Sequence, residues 1–259
     1  MIRFTQIDTI NHIHLMIKSN SFKHLQLDSE LLDYLVQYDI KPGDRVPSLG
    51  ELSDKLHISV SKLREQLEVA RCLGLVSVRP RTGIHRQEYQ FMPAVRLGLL
   101  LALASDIVHF DEYSDLRRRI EKSYWYDAVA SLSTEDHLRL RNLVSQAWDK
   151  LRGNPIRIPH REHREFHLAI FNNIDNVFVR GILEAYWEAY EAVELNTFAD
   201  YTYLNEVWAY HERIVDAIVE GDVEGSLQFF EEHTRLLRNF AERDGVQQIN
   251  GTVSKSSDS

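Results

Sequence analysis

The chain carries one cysteine in 259 residues, Cys72. That excludes an intramolecular disulfide framework and a cysteine-rich zinc site, and it fits a reducing compartment. Long apolar runs are missing too: the longest, Leu97 to Ala104, falls far short of the roughly 20 residues that cross a bilayer. The first twenty-five residues include Arg3 and Asp8 and no sustained apolar stretch, so they lack the pattern of a secretory signal. Together these absences lead to the expectation of a cytoplasmic protein with no membrane partner.

Enzyme signatures are absent as well. There is no Gly-rich phosphate loop and no nucleophile elbow. His211-Glu212 is followed by Ile214 and Val215, so the His-Glu-x-x-His zinc motif fails. A di-iron carboxylate site needs Glu three residues before its histidines. The residues three before His163, His167, His211 and His233 are His160, Arg164, Trp208 and Phe230. The expectation is a chain that is not an enzyme.

What is present is ordinary in bulk and uneven in detail. A hydrophobic content of 44% suits one large globular domain or two smaller ones. The net charge of −9 is not spread evenly. Through Met92 there are 12 Lys and Arg against 11 Asp and Glu, leaving 18 against 28 for the remainder. The near-neutral N-terminal part can therefore hold a locally basic nucleic-acid surface that the whole chain does not advertise.

After a polar N-terminal arm (1–25), "LDSELLDYLVQYDIKPGD" has Leu31, Leu32, Leu35 and Val36 at helical spacing and stops at Pro42-Gly43. "SLGELSDKL" opens with the capping-box pair Ser48 and Glu51. A short break at "HISVS" precedes "SKLREQLEVARCLG", which ends at Gly74. Two short helices about a tight turn make a helix-turn-helix. "LVSVRPRTGIHRQ" then changes period and turns at Pro80 to Gly83, as a small hairpin does. Residues 26–90 thus read as a winged helix-turn-helix. Beyond it, segments 94–105, 110–131, 134–152, 159–173, 175–198, 201–220 and 222–242 carry helical periodicity. The fold class is mainly α: the winged helix, then an all-helical bundle over 94–242, then a polar, disordered tail over 243–259.

A helix-turn-helix reads DNA by placing the start of its second helix in the major groove and its wing on the backbone. Here that helix offers Ser59, Ser61, Lys62 and Arg64, and the hairpin offers Arg79 and Arg81. Arg64 can be bidentate to guanine, while Lys62, Arg79 and Arg81 suit phosphate. The run "IKPGDRVPSLGELSDKLHISVSKLREQLEVARCLGLVSVRPRTGI" resembles the DNA-binding domain of the GntR family of bacterial transcription regulators. The resemblance implies a homodimer on a pseudo-palindromic double-stranded operator. Many members of the FadR-like branch carry arginine where this chain has Gly50 and Val60. Arg64 matches, and Lys55 and Lys62 stand as substitutes.

The second motif is "HREHREFH", residues 160–167. His163 and His167 lie about 6 Å apart along one helix face, whereas His160 and His167 are separated by about 10 Å of rise, too far to share one ion comfortably. His211 lies ten residues before Gly221 and His233 twelve after it. In an antiparallel pair of helices these two sit at similar heights and can face each other. Four converging imidazoles suit zinc first, with nickel or iron behind it, over magnesium or calcium. His109, His137 and His160 read as bystanders.

The C-terminal half resembles the FCD ligand-binding domain attached to this regulator branch, through "LRRRIE" (116–121), "HREFH" (163–167), "HERIVDAIVEGD" (211–222) and "EEHTRLL" (231–237). His167, His211 and His233 match the family's three metal-binding histidines, and His163 stands where the family has aspartate. Either four histidines bind the metal, or His163 stands aside and water, Glu162 or the effector completes the set. The resemblance further implies a small carboxylate metabolite as effector. Arg117 is its bidentate partner, and Tyr186 and Tyr190, with Tyr124, Trp125, Trp187, Trp208 and Tyr210, are available to wall a pocket. In the alternative reading the metal itself is the signal or is purely structural.

Overall fold

The computed structural model of the chain describes residues 27–192 and 201–236. The expected arm (1–25), the expected tail (243–259) and the last residues of the helices expected over 175–198 and 222–242 lie outside the described residues. The chain separates into two units between Gln90 and Phe91.

In the first unit, α1 (Glu30–Gln37) is followed by β1 (Arg45–Val46), α2 (Leu49–Leu56), α3 (Val60–Cys72), β2 (Val76–Arg79) and β3 (Gly83–Arg86). Each helix begins on a serine that satisfies an otherwise orphaned amide. Ser29 accepts from the Leu32 amide and Ser59 from the Lys62 amide. Ser48 and Glu51 form the reciprocal capping box that their spacing predicts. α2 stops at His57, whose backbone is left-handed at φ 56°, and this sharp reversal makes the turn into α3. Leu31, Leu35, Leu52, Leu63, Leu67 and Ile84 meet in the core.

The hairpin gains a third strand that the sequence reading did not contain. β3 lies between β1 and β2, antiparallel to both, with Ile84 opposite Val46 on one side and Val78 on the other. β1 has two residues, one exposed and one buried. Two residues are too few to show the period-2 alternation by which a strand is read.

The second unit holds α4 (Met92–Ser105), α5 (His109–Ala130), α6 (Thr134–Leu151), α7 (His160–Ile170), α8 (Val177–Ala192) and α9 (Tyr201–Glu220), with α10 described over 223–236. Ser133 and Asp136 cap α6 reciprocally, and Gly221, at φ 80°, turns α9 into α10. α4 packs closely on α8, where a side chain at Gly181 would meet the Met92 amide nitrogen at 2.7 Å. Trp125, Leu140, Phe166, Trp208, Ile214 and Phe230 lie in the main core. The Trp125 indole N–H donates to Ser226 Oγ at 3.0 Å, tying α5 to α10. Among the described residues no helix is long and apolar enough to cross a membrane.

Candidate functional site

α7 is the element that carries the imidazoles inward. Glu162, His163, Phe166, His167, Ala169 and Ile170 are buried, the spacing of one helix face turned into the bundle. Glu162, an alternative ligand in the sequence reading, turns away: its Oε2 lies 2.6 Å from Lys150 Nζ on α6. This pair pins α7 to α6 and takes Glu162 out of the histidine group. His160, one turn before His163, is exposed.

His163, His167, His211 and His233 are all buried, and one ring nitrogen from each lies within 4.8 Å of every other. The three Nε2 atoms of His167, His211 and His233 converge most tightly. His167 Nε2 is 3.2 Å from His211 Nε2 and 3.3 Å from His233 Nε2. Nitrogens about 2.0–2.1 Å from a tetrahedral zinc are about 3.3–3.4 Å apart, so the spacing fits a transition metal at their centre. His163 joins the group, its ring centroid 5.0 Å from that of His211.

Among the described residues, His163 Nε2, His211 Nδ1 and His233 Nδ1 are buried without a hydrogen-bond partner. Burial pushes the pKa of His163, His167 and His211 well below the ordinary histidine value, and that of His233 down to about 3, with the nearby Arg117 charge adding to the shift in each. The group is therefore four neutral imidazoles at physiological pH, the form that ligates metals. The donor set is all nitrogen, which suits zinc, nickel or iron(II) and not magnesium or calcium.

Arg117, on α5, is 2% exposed. Its Nε stands 2.7 Å from Glu121 Oε2 one turn along the same helix. Its Nη2 donates to His167 Nδ1 at 3.0 Å. The guanidinium also lies 4.3 Å from the Tyr186 ring centre and 5.3 Å from that of Trp187. Burial opposes the Arg117 charge, but the Glu121 carboxylate and Tyr186 outweigh it and hold the pKa above the ordinary value. The Glu121 carboxyl is pushed up to about 7 by burial, against the pull of Arg117.

Of the aromatic residues expected to wall a pocket, Tyr186, Trp187, Tyr190 and Trp208 lie at the cluster, whereas Tyr124 meets Asn176, Trp125 packs on Phe171 and Phe230, and Tyr210 lies under Arg213. Tyr186 and Tyr190 on α8 are 1% and 2% exposed, and Phe110 packs against Tyr186. A cleft lined by Pro159, His160, His163, Tyr203, Val207 and Trp208 reaches the cluster with a volume of about 10 Å³, the space of one water.

In the first unit, Ser59, Ser61, Lys62 and Arg64 are exposed at the start of α3, and Arg79 and Arg81 are exposed on the hairpin. Among the described residues Arg64, Arg79 and Arg81 have no ion-pair partner. Arg81 sits at the hairpin turn with φ 67°, which puts it at the tip of the wing. Lys62 differs: it is ion-paired with Glu30 of α1. Lys55 lies over the Tyr38 ring at 3.9 Å.

Two residues that matter here were not singled out by the sequence reading. Glu121 is the partner of Arg117, and its signal was present as the Arg-x3-Glu spacing inside "LRRRIE". Glu30 is the partner of Lys62 across a separation of 32 residues, for which no local pattern exists.

Residues 112–236 match the family model described as the FCD domain. An uncharacterized HTH-type transcriptional regulator, YcbG of Bacillus subtilis, is 23% identical over 83% of this chain and 88% of its own. The HTH-type transcriptional regulator LutR of the same organism is 22% identical over 71% and 85%. The solved structure of Streptococcus agalactiae GntR shares the fold, with a TM-score of 0.60 at 18% identity over 81% of this chain and 95% of that one. With a winged helix ahead of an FCD domain, the chain has the build of a DNA-binding transcription regulator of the GntR type.

Proposed function

We propose that the chain binds double-stranded operator DNA as a cytoplasmic homodimer and that a small carboxylate metabolite, bound at a zinc ion in the helical domain, sets its operator affinity. The observation that carries this reading is the convergence of four buried, neutral histidines on one point, with Arg117 beside them. His163, His167, His211 and His233 would hold the ion, and expansion to a fifth ligand, or His163 standing aside, would give an anionic oxygen its place on it. Arg117 would meet the carboxylate, with Tyr186 and Tyr190 walling the site.

On the DNA side, Arg64 would read a base edge and Arg79 and Arg81 would meet phosphates, with Ser59, Ser61 and Lys55 around them and Lys62, also expected there, held by Glu30. Two recognition helices related by a two-fold axis fit half-sites spaced by about one turn of duplex, roughly 34–36 Å. An effector that binds one arrangement of the dimer better than another shifts the population competent for both half-sites.

Selection from random duplex by the full chain, with the metal content of the purified protein measured in parallel, tests this. The expected results are an inverted-repeat site and about one equivalent of transition metal, lost in His211→Ala and kept in His160→Ala. Unselective binding, or metal kept in His211→Ala, would overturn it. A second reading, with the metal alone as signal or structural support, is favoured by the smallness of the cleft at His163. Carboxylic acids titrated into zinc-loaded protein separate the two, since a bound acid raises the thermal midpoint by linkage.

A further inference from the structure

We propose that Arg117 latches His167 in the tautomer that cannot ligate a metal, so that loading the cluster turns the His167 Nδ1–H toward Glu121 and frees Arg117 for an anion. The proposal rests on reading the four histidines as a metal site.

An arginine side chain has five N–H donors and no acceptor. The 3.0 Å contact from Arg117 Nη2 therefore makes His167 Nδ1 an acceptor. A neutral imidazole has one N–H, so it must sit on Nε2. Nε2 is also the atom that faces His211 Nε2 at 3.2 Å and His233 Nε2 at 3.3 Å. In this state His167 points a proton, not a lone pair, at the centre of the cluster. It can donate to either neighbour, and it cannot bind a cation.

Ligation through Nε2 requires the His167 proton on Nδ1, where it would oppose the Arg117 N–H groups donor to donor. The acceptor that can take it is Glu121 Oε1, 4.0 Å from Nδ1. A movement of about 1 Å closes that distance to a hydrogen bond. The Glu121 carboxylate has capacity for it: Oε2 faces Arg117 Nε at 2.7 Å but is not aligned for a hydrogen bond. A carboxylate behind a metal-bound histidine fixes its tautomer and raises its basicity, and Glu121 is placed for that task.

The exchange is balanced. The imidazole keeps one proton, which leaves Nε2 and is regained at Nδ1. Arg117 gives up its histidine acceptor and keeps its Tyr186 and Trp187 ring contacts. A buried guanidinium with freed N–H groups then faces the cluster, and a carboxylate is the ligand that satisfies it bidentately. Metal and carboxylate are coupled through one arginine, and the coupling is reciprocal.

The test uses the full chain labelled with 15N-histidine. Two-bond 1H–15N spectra report which ring nitrogen is protonated, with His167 assigned by its loss in His167→Gln. The expected result is Nε2–H in metal-free protein and Nδ1–H after zinc is added. By calorimetry, Glu121→Gln should bind zinc about 10–100-fold more weakly, and Arg117→Met about tenfold more tightly, by removal of one charge-assisted hydrogen bond. Acetate should tighten zinc binding in the wild type and not in Arg117→Met. If either variant fails to fold, the wild-type spectra decide. His167 already Nδ1–H without metal, or still Nε2–H with zinc bound, overturns the latch and leaves the metal site standing. Absence of zinc binding overturns both.

Discussion

Lys62 at the start of the recognition helix is ion-paired with Glu30 of α1, and the same carboxylate takes a hydrogen bond from Gln66. The Lys62 and Gln66 hydrogen bonds hold the Glu30 carboxyl down at about 2. Lys62 is therefore committed within the domain, whereas Arg81 at the wing tip has no such partner among the described residues. Each phosphate contact contributes about −0.9 to the slope of log affinity against log salt. Arg81→Ala should reduce that slope by about 1, and Lys62→Ala should leave it nearly unchanged. Fluorescence anisotropy with the selected duplex at a series of salt concentrations measures both.

Arg64 is expected to behave as a base reader. It is exposed one turn into α3, where side chains of a recognition helix reach base edges. Arg64→Ala should cost about 1–3 kcal/mol on the best site and relax the preference at one position of each half-site. A uniform loss over all sequences would make Arg64 a phosphate contact instead.

Acid should destabilise the metal-free helical domain. His233 has its folded pKa lowered to about 3, against about 6.5 for an unperturbed histidine. Below pH 6.5 the unfolded chain takes up a proton that the folded chain refuses, so stability present above that pH is lost as pH falls toward 3. At pH 5 the loss from this one residue is about 2 kcal/mol, and His163, His167 and His211 shift in the same direction. Glu121 works the other way. Its folded value of about 7 means that protonation favours the fold below that pH, which offsets roughly one histidine. The net expectation is a thermal midpoint that drops between pH 6.5 and 5 in the chelated protein. A midpoint flat across that range would contradict it.

How much of this was legible in the sequence follows from where each signal lies. The caps at Ser48 and Ser133 and the histidine pair on α7 are local patterns with a fixed period, and they were readable. His211 and His233 were reached by counting from one turn, because an antiparallel pair converts distance from Gly221 into height; their ring centroids lie 4.4 Å apart. Rise per residue split the three histidines of α7, and the downstream pair His211 and His233 set His160 aside. What escaped was a matter of pairing: β1 is too short to have a period, and Glu30 meets Lys62 only through tertiary packing. The Arg117–Glu121 pair was spaced legibly, but spacing could not show that the guanidinium is buried and turned onto His167. Nor could it show that the cleft at His163 holds about 10 Å³.

His163 stands where the family carries aspartate, and exchanging it tests what the imidazole does there. It is 5% exposed and packs against Trp187 and Trp208, at 4.8 and 6.1 Å between ring centres. His163→Asp removes those contacts and places a carboxylate in a dry site, which should cost the metal-free domain about 1–3 kcal/mol. For a unit of this size that corresponds to a fall in midpoint of several degrees, at about 2–4 °C per kcal/mol. With zinc present the added negative charge becomes a ligand. The zinc-induced rise in midpoint should then be larger in His163→Asp than in the wild type. Equal rises in the two proteins would show that residue 163 stands outside the coordination sphere, leaving His167, His211 and His233 as the protein ligands.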